Sequence, residues 1–144
     1  MPFIAKRERN FGKYLENHFG IVLPAGIGIF YAKGVRIGNS ELRASDIHGE
    51  LGYAACDEGF HPTNAVVQNF GHLATKNFVE VDEARAKEFA VGRGLGRMEL
   101  GQGDKFVIVR YKGMPVGLGY YESGKKKIRN DIPEKRRRKI INSL

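Results

Sequence analysis

The sequence predicts an α+β domain with a mixed or antiparallel sheet, preferably closed into a barrel. Short strand-like runs alternate with helical ones, and three strands follow one another near the C-terminus across turn signals. The 19 glycines among 144 residues suit many turns and tight backbone approaches. That length fits one domain, residues 1–144, able to bury a core without metal or disulfide help. Hydrophobic content of 42% and charged content of 28% argue against global disorder.

Taken in order, Asn10 is a candidate N-cap for a short helix through His18, with Phe11, Tyr14, Leu15 and His18 on one face, and Gly20 ends it. Gly26 to Tyr31 and Val35 to Ile37 read as strands of a hairpin turning at Lys33-Gly34. Asn39 to Asp46 reads as a brief helix or an ordered loop. Leu51 to Cys56 is a short apolar strand ended by Asp57-Glu58-Gly59. His61-Pro62-Thr63-Asn64 opens a helix whose apolar face is Ala65, Val66, Phe70 and Leu73.

Asn77 to Val81 is a strand, and Asp82 caps a helix over Glu83 to Ala90 with acidic residues at its positive end. Gly92 to Gly103 holds five glycines in twelve residues and reads as a loop. The meander follows: Phe106 to Tyr111, a turn at Lys112-Gly113, Pro115 to Glu122, a turn at Ser123-Gly124, and Lys126 to Asn130. Within it Gly117 and Gly119 alternate with Val116, Leu118 and Tyr120, giving one large apolar face and one bare face. Bare strand glycines mark a bend or a close approach. Pro133 stands at a first helical position ahead of Glu134 to Asn142.

Charge is segregated. Residues 105–144 hold 12 Lys/Arg against 3 Asp/Glu, whereas the preceding 104 residues hold 12 against 13. A field concentrated in this way favours a polyanion, because each phosphate neutralised releases condensed counterions. The alternative is a solvated tail, but the charges are interleaved with strand-forming residues. Arg110, Tyr111 and Lys112, then Tyr120, Tyr121, Lys125, Lys126, Lys127 and Arg129, place rings among cations, the mixture that unpaired RNA exploits. Tyr111 and Tyr120 read as half-buried sheet residues, while Tyr121 is divided evenly between core and base stacking. Arg136, Arg137, Arg138 and Lys139 form a localisation signal, a frayed tail or a phosphate clamp. Ile140, Ile141 and Leu144 favour a docked helix whose other side meets RNA.

Catalytic patterns are absent. No G-x-S-x-G elbow occurs, and the histidines at 18, 48, 61 and 72 are too widely spaced for a helical ligand pair. Gly92-Arg93-Gly94-Leu95-Gly96-Arg97 lacks the Gly-Lys-Ser/Thr ending of a phosphate loop, but its Arg93 and Arg97 suit contact with a backbone phosphate. Glu80, Asp82, Glu83 and Glu88 are explained by capping and solubility. No cofactor, metal or catalytic residue is expected. Cys56 is the single cysteine, so no internal disulfide forms and a reducing cytoplasm is the expected setting. The N-terminus lacks a secretory pattern, and the uncharged stretch Phe19 to Ala32 falls short of the ~20 residues a membrane helix needs.

Several of these residues resemble the PUA-like domain at the C-terminus of Sun-family RNA cytosine-5 methyltransferases. They are the Pro62-Thr63 helix start, the segment from Ala74 to Val81, the hairpin from Val107 to Gly113 with Leu118-Gly119, and the ending from Lys127 to Pro133. The opening helix with Phe19-Gly20-Ile21 is similar more loosely. The resemblance implies a PUA-like β pseudobarrel with flanking short helices, strongest over residues 59–132. Residues 1–58 would supply the N-terminal helix and strands, and 133–144 a basic helix or tail. It also implies a non-catalytic, stand-alone RNA-binding module for tRNA or rRNA, or an accessory subunit serving a separate RNA-modification enzyme or ribosomal particle. Lys76, Asn77, Arg110, Lys112, Lys127 and Arg129 match the family's positions, while His61 stands where members commonly carry a basic residue.

Overall fold

A computed structural model describes residues 11–31, 35–39, 53–54 and 61–144. The expected cap at Asn10, the turn at Lys33-Gly34, the segment beyond Asn39, the turn at 57–59 and Cys56 lie outside them. Among the described residues, hydrogen bonds sort the strands into two sheets. β1 (Ile27–Tyr31), β2 (Val35–Asn39) and β3 (Tyr53–Ala54) form an antiparallel three-stranded sheet. β4 (Phe78–Glu80), β5 (Lys105–Tyr111), β6 (Met114–Glu122) and β7 (Lys127–Asn130) form the second in that order, β4 parallel to β5 and the rest antiparallel. The architecture is α+β with a mixed sheet, as the element order implies.

The first helix is wound differently from expectation. After α-helical residues 11–14 the chain widens into a π-helical turn, Leu15–Phe19. Gly20 closes it at φ 67°, a left-handed conformation that glycine adopts without Cβ strain. The wider turn keeps Phe11, Leu15 and Phe19, four residues apart, on one buried face. Tyr14 and His18 are left half-buried and stack on each other at 5.2 Å.

α1 (Asn64–Phe70) starts where Thr63 accepts a hydrogen bond from the Val66 N–H, and it buries Val66, Val67 and Phe70. α2 (Glu83–Ala90) starts at Asp82, whose Oδ1 accepts from the Arg85 N–H at 2.9 Å. These caps satisfy amide donors that the first helical turn leaves open. Both helices cover the sheet.

Both faces of the four-stranded sheet are covered, which gives the molecule two cores. On one face Ile108 and Leu118 pack with Phe11, Phe19, Val66 and Phe70. On the other, Val107, Val109, Tyr121 and Ile128 pack with Phe89 and Ala86 of α2 and with Ile140 of α3 (Glu134–Ser143). The face expected to be bare is therefore filled. A Cβ on Gly117 would meet the Ile132 side chain, and one on Gly119 would meet Ile128 and, at 3.2 Å, the tip of Phe89. These glycines are where helix and loop side chains press onto the sheet. The C-terminal helix is docked: Ile140 is buried and Ile141 and Leu144 pack around it.

Candidate nucleic-acid interface

The basic residues singled out by the sequence divide into three groups. The first is consumed by the fold, and Arg110 is the main correction. Its side chain is 11% exposed, Nε lies 2.8 Å from Glu80 Oε1, and Nη1 donates to the carbonyls of Ala74 (3.1 Å) and His72 (3.4 Å). The guanidinium also covers the Phe78 ring at 3.5 Å. With Nε and Nη1 engaged internally and the side chain largely buried, Arg110 ties β4 and the 3-10 turn Gly71–Leu73 to β5 and is not presented to RNA.

Tyr121 is corrected on the same ground. It is 1% exposed, and its hydroxyl donates to the Met98 carbonyl at 3.0 Å and accepts from the Leu100 N–H at 3.1 Å. Asn77 is structural as well: at φ 51° its side chain donates to the His18 carbonyl and its own carbonyl accepts from Ile108.

The second group is exposed but dispersed. Lys76 precedes β4, at the edge of the sheet away from β7, a separation of about 14 Å from strand spacing. It donates to the Asn17 carbonyl at 3.4 Å. Lys112 sits in the turn between β5 and β6, at the far end of β6 from Lys125, about 30 Å along the strand. Lys125 and Lys126 in the next turn face acidic neighbours, Glu122 at 3.8 Å and Glu99 at 3.0 Å. Exposed pairs of this kind contribute little to stability, but they offset the charge offered to a polyanion.

The third group is brought together at β7. Lys127 and Arg129 lie exposed on this strand, and the glycine loop runs along its edge through paired hydrogen bonds between Leu95 and Ile128. Gly94 is required there, since a Cβ would stand 2.7 Å from the Ile128 carbonyl oxygen. Between loop and strand lies an open groove of about 420 Å³ whose lining includes Gly92, Gly94, Gly96, Lys127, Arg129 and the carboxylate-bearing Glu122. Arg93 and Arg97 project exposed from the loop. α3 adjoins it because Arg137 packs over Gly92 and donates to the Ile132 carbonyl at 3.3 Å. That leaves Arg136 and Arg138 exposed on the helix while Arg137 serves as the fastener. Among the described residues, Arg93, Arg97, Lys127, Arg129, Arg136 and Arg138 form no ion pair.

One cluster was missed by sequence reasoning. Tyr120, assigned to the barrel wall, is half-buried beside Arg129, whose guanidinium carbon lies 5.0 Å from the ring centroid. Phe106 meets Tyr120 edge to face at 5.0 Å, and His61 lies against Phe106 at 4.6 Å. No local signal in the sequence marks it, because the β6–β7 register that sets Tyr120 opposite Arg129 follows from the length of the turn between them.

A mixed four-stranded sheet covered by short helices is consistent with a PUA-like domain. Residues 76–138 match the family model described as the methyltransferase RsmF PUA domain, which begins downstream of the Pro62-Thr63 helix start. The chain is also similar to ribosomal RNA small subunit methyltransferase F of Aeromonas salmonicida (strain A449) and of Aeromonas hydrophila subsp. hydrophila. Each is 27% identical over 141 residues, covering 92% of this chain and 28% of the relative. The chain thus spans about 28% of the length of the curated relatives it matches. Among the described residues no group of three or more His, Cys, Asp or Glu is placed to hold a metal, and no helix is long and apolar enough to cross a membrane.

Proposed function

We propose that this chain binds structured RNA, tRNA or rRNA, in the cytoplasm and contributes no catalysis of its own. The carrying observation is that Lys127 and Arg129 line the groove between the glycine loop and β7, with Arg93 and Arg97 exposed on that loop and α3, bearing the exposed Arg136 and Arg138, fastened to it by Arg137 over Gly92. Cations at this density neutralise neighbouring phosphates, and the side-chain-free glycines let a sugar-phosphate backbone approach closely. Similarity to a domain of an RNA methyltransferase supports the same reading.

Filter binding against tRNA, rRNA fragments and duplex DNA at two salt concentrations tests it. The reading expects salt-sensitive binding that prefers RNA. Equal affinity for duplex DNA, or no binding at low salt, would contradict it.

A second reading is supported by the relatives, which are by name ribosomal RNA methyltransferases more than three times as long as the aligned segment. In that reading the chain presents RNA to a separate modification enzyme or resides in a ribosomal particle. Recovery of such an enzyme with the chain from cells, lost on ribonuclease treatment or retained, separates an RNA-bridged partner from a direct one.

A further inference from the structure

Resting on the RNA-binding reading above, we propose that the row His61, Phe106, Tyr120 and Arg129 receives one unpaired nucleobase, while Lys127 holds the adjoining phosphate. The row is continuous, with successive separations of 4.6, 5.0 and 5.0 Å. It is anchored below and open above. Phe106 packs against the first core and Tyr120 is half-buried, whereas the His61 side chain is 42% exposed and Arg129 is exposed.

Strand pairing fixes its geometry, because Phe106 pairs with Tyr120 and Tyr120 with Arg129, so the three side chains share one face. The backbone at Phe106 is held by His18 Nε2, which donates to its carbonyl at 2.8 Å. His61 is held by Asp131, with Nε2 and Oδ2 2.5 Å apart. That contact also engages the carboxylate that would otherwise repel a phosphate nearby. Glu122, on the same side of β6 as Tyr120, is engaged by Lys125, and Asp104 by Ser123.

A guanidinium plane and aromatic rings present π surfaces on which a base stacks, and they are sequence-tolerant because every base has such a face. Lys127 stands two residues from Arg129 on the same side of β7, about 6.6 Å away along the strand. A base within a duplex has both faces covered by its neighbours. The row therefore selects loops and bulges over uninterrupted helix.

The test uses two blunt-ended RNA duplexes of equal length, one carrying a single bulged 2-aminopurine and one fully paired. The protein has no tryptophan, so the probe's emission reports base stacking directly. The wild type should quench the bulged probe and bind that duplex more tightly. Tyr120→Leu should lose roughly tenfold of this affinity while binding the paired duplex as before, and Tyr120→Phe should behave as wild type. Arg129→Lys, an exposed change that keeps the charge but not the plane, should lose more of its quenching of the bulged probe than of its affinity for the paired duplex. It preserves the test if Tyr120→Leu does not fold. Wild-type binding to both duplexes without quenching would overturn the stacking site and leave RNA binding intact; no binding to either would overturn both.

Discussion

Replacing Arg110 with methionine should destabilise the protein without weakening its hold on RNA. The variant removes a charge-assisted contact to Glu80 at 2.8 Å, a hydrogen bond to the Ala74 carbonyl at 3.1 Å and the contact with Phe78 at 3.5 Å. Breaking a buried ion pair costs about 3–5 kcal/mol. Glu80 is 43% exposed and keeps its bond from the Gly113 N–H at 3.2 Å, so its carboxylate remains solvated and partnered. The buried carbonyl of Ala74 loses the Arg110 donor, while that of Gly71 keeps the Ala74 N–H at 3.2 Å. A net cost of about 3 kcal/mol follows, which for a domain of this size lowers Tm by about 10 °C. Melting by circular dichroism measures the first effect, and RNA affinity measured well below Tm the second. A melting point within about 2 °C of wild type, or a folded variant that has lost RNA affinity, would refute the structural role of Arg110.

Further outcomes are expected. Gly119→Val forces Ile128 and Phe89 aside against the fixed Arg129 carbonyl, and should cost about 3 kcal/mol in a denaturant titration; wild-type stability would mean the sheet face is not packed. Tyr121→Phe should cost about 1–2 kcal/mol through the lost pair at Met98 and Leu100 while RNA affinity is unchanged; weaker RNA binding with unaltered melting would restore Tyr121 to the interface. Neutralising Lys127 and Arg129 together should reduce the slope of log affinity against log salt by about 1.5. The double change at Lys125 and Lys126 should alter the slope less, because their ion pairs already offset part of their charge; equal effects of the two pairs would contradict the placement.

Where signals were local, the sequence was readable. α2 begins after the cap at Asp82, and the Lys112-Gly113 turn carries both residues at positive φ, 50° and 79°, as a two-residue hairpin turn demands. Features that depend on distant partners were not readable. Alternation along β6 predicts a core face and a bare one, but α2 and Ile132 cover the second face, so Tyr121 points inward. Arg110 looks like any surface cation until Glu80, thirty residues earlier, is brought beside it by the parallel pairing of β4 with β5. The turn expected at Ser123-Gly124 extends to Lys126, which adopts φ 50°, and this length sets the register that joins Tyr120 to Arg129. No local propensity marks a lysine for that conformation.

Photo-crosslinking of the bound RNA, with the attached peptides identified by mass spectrometry, tests the central claim most directly. Crosslinks should fall on the glycine loop at Arg93 to Arg97, on Tyr120 and the β7 residues Lys127 and Arg129, and on α3 at Arg136 and Arg138. Crosslinks confined to Lys76 or to the Lys112 turn would place the RNA on another side of the molecule and contradict the account.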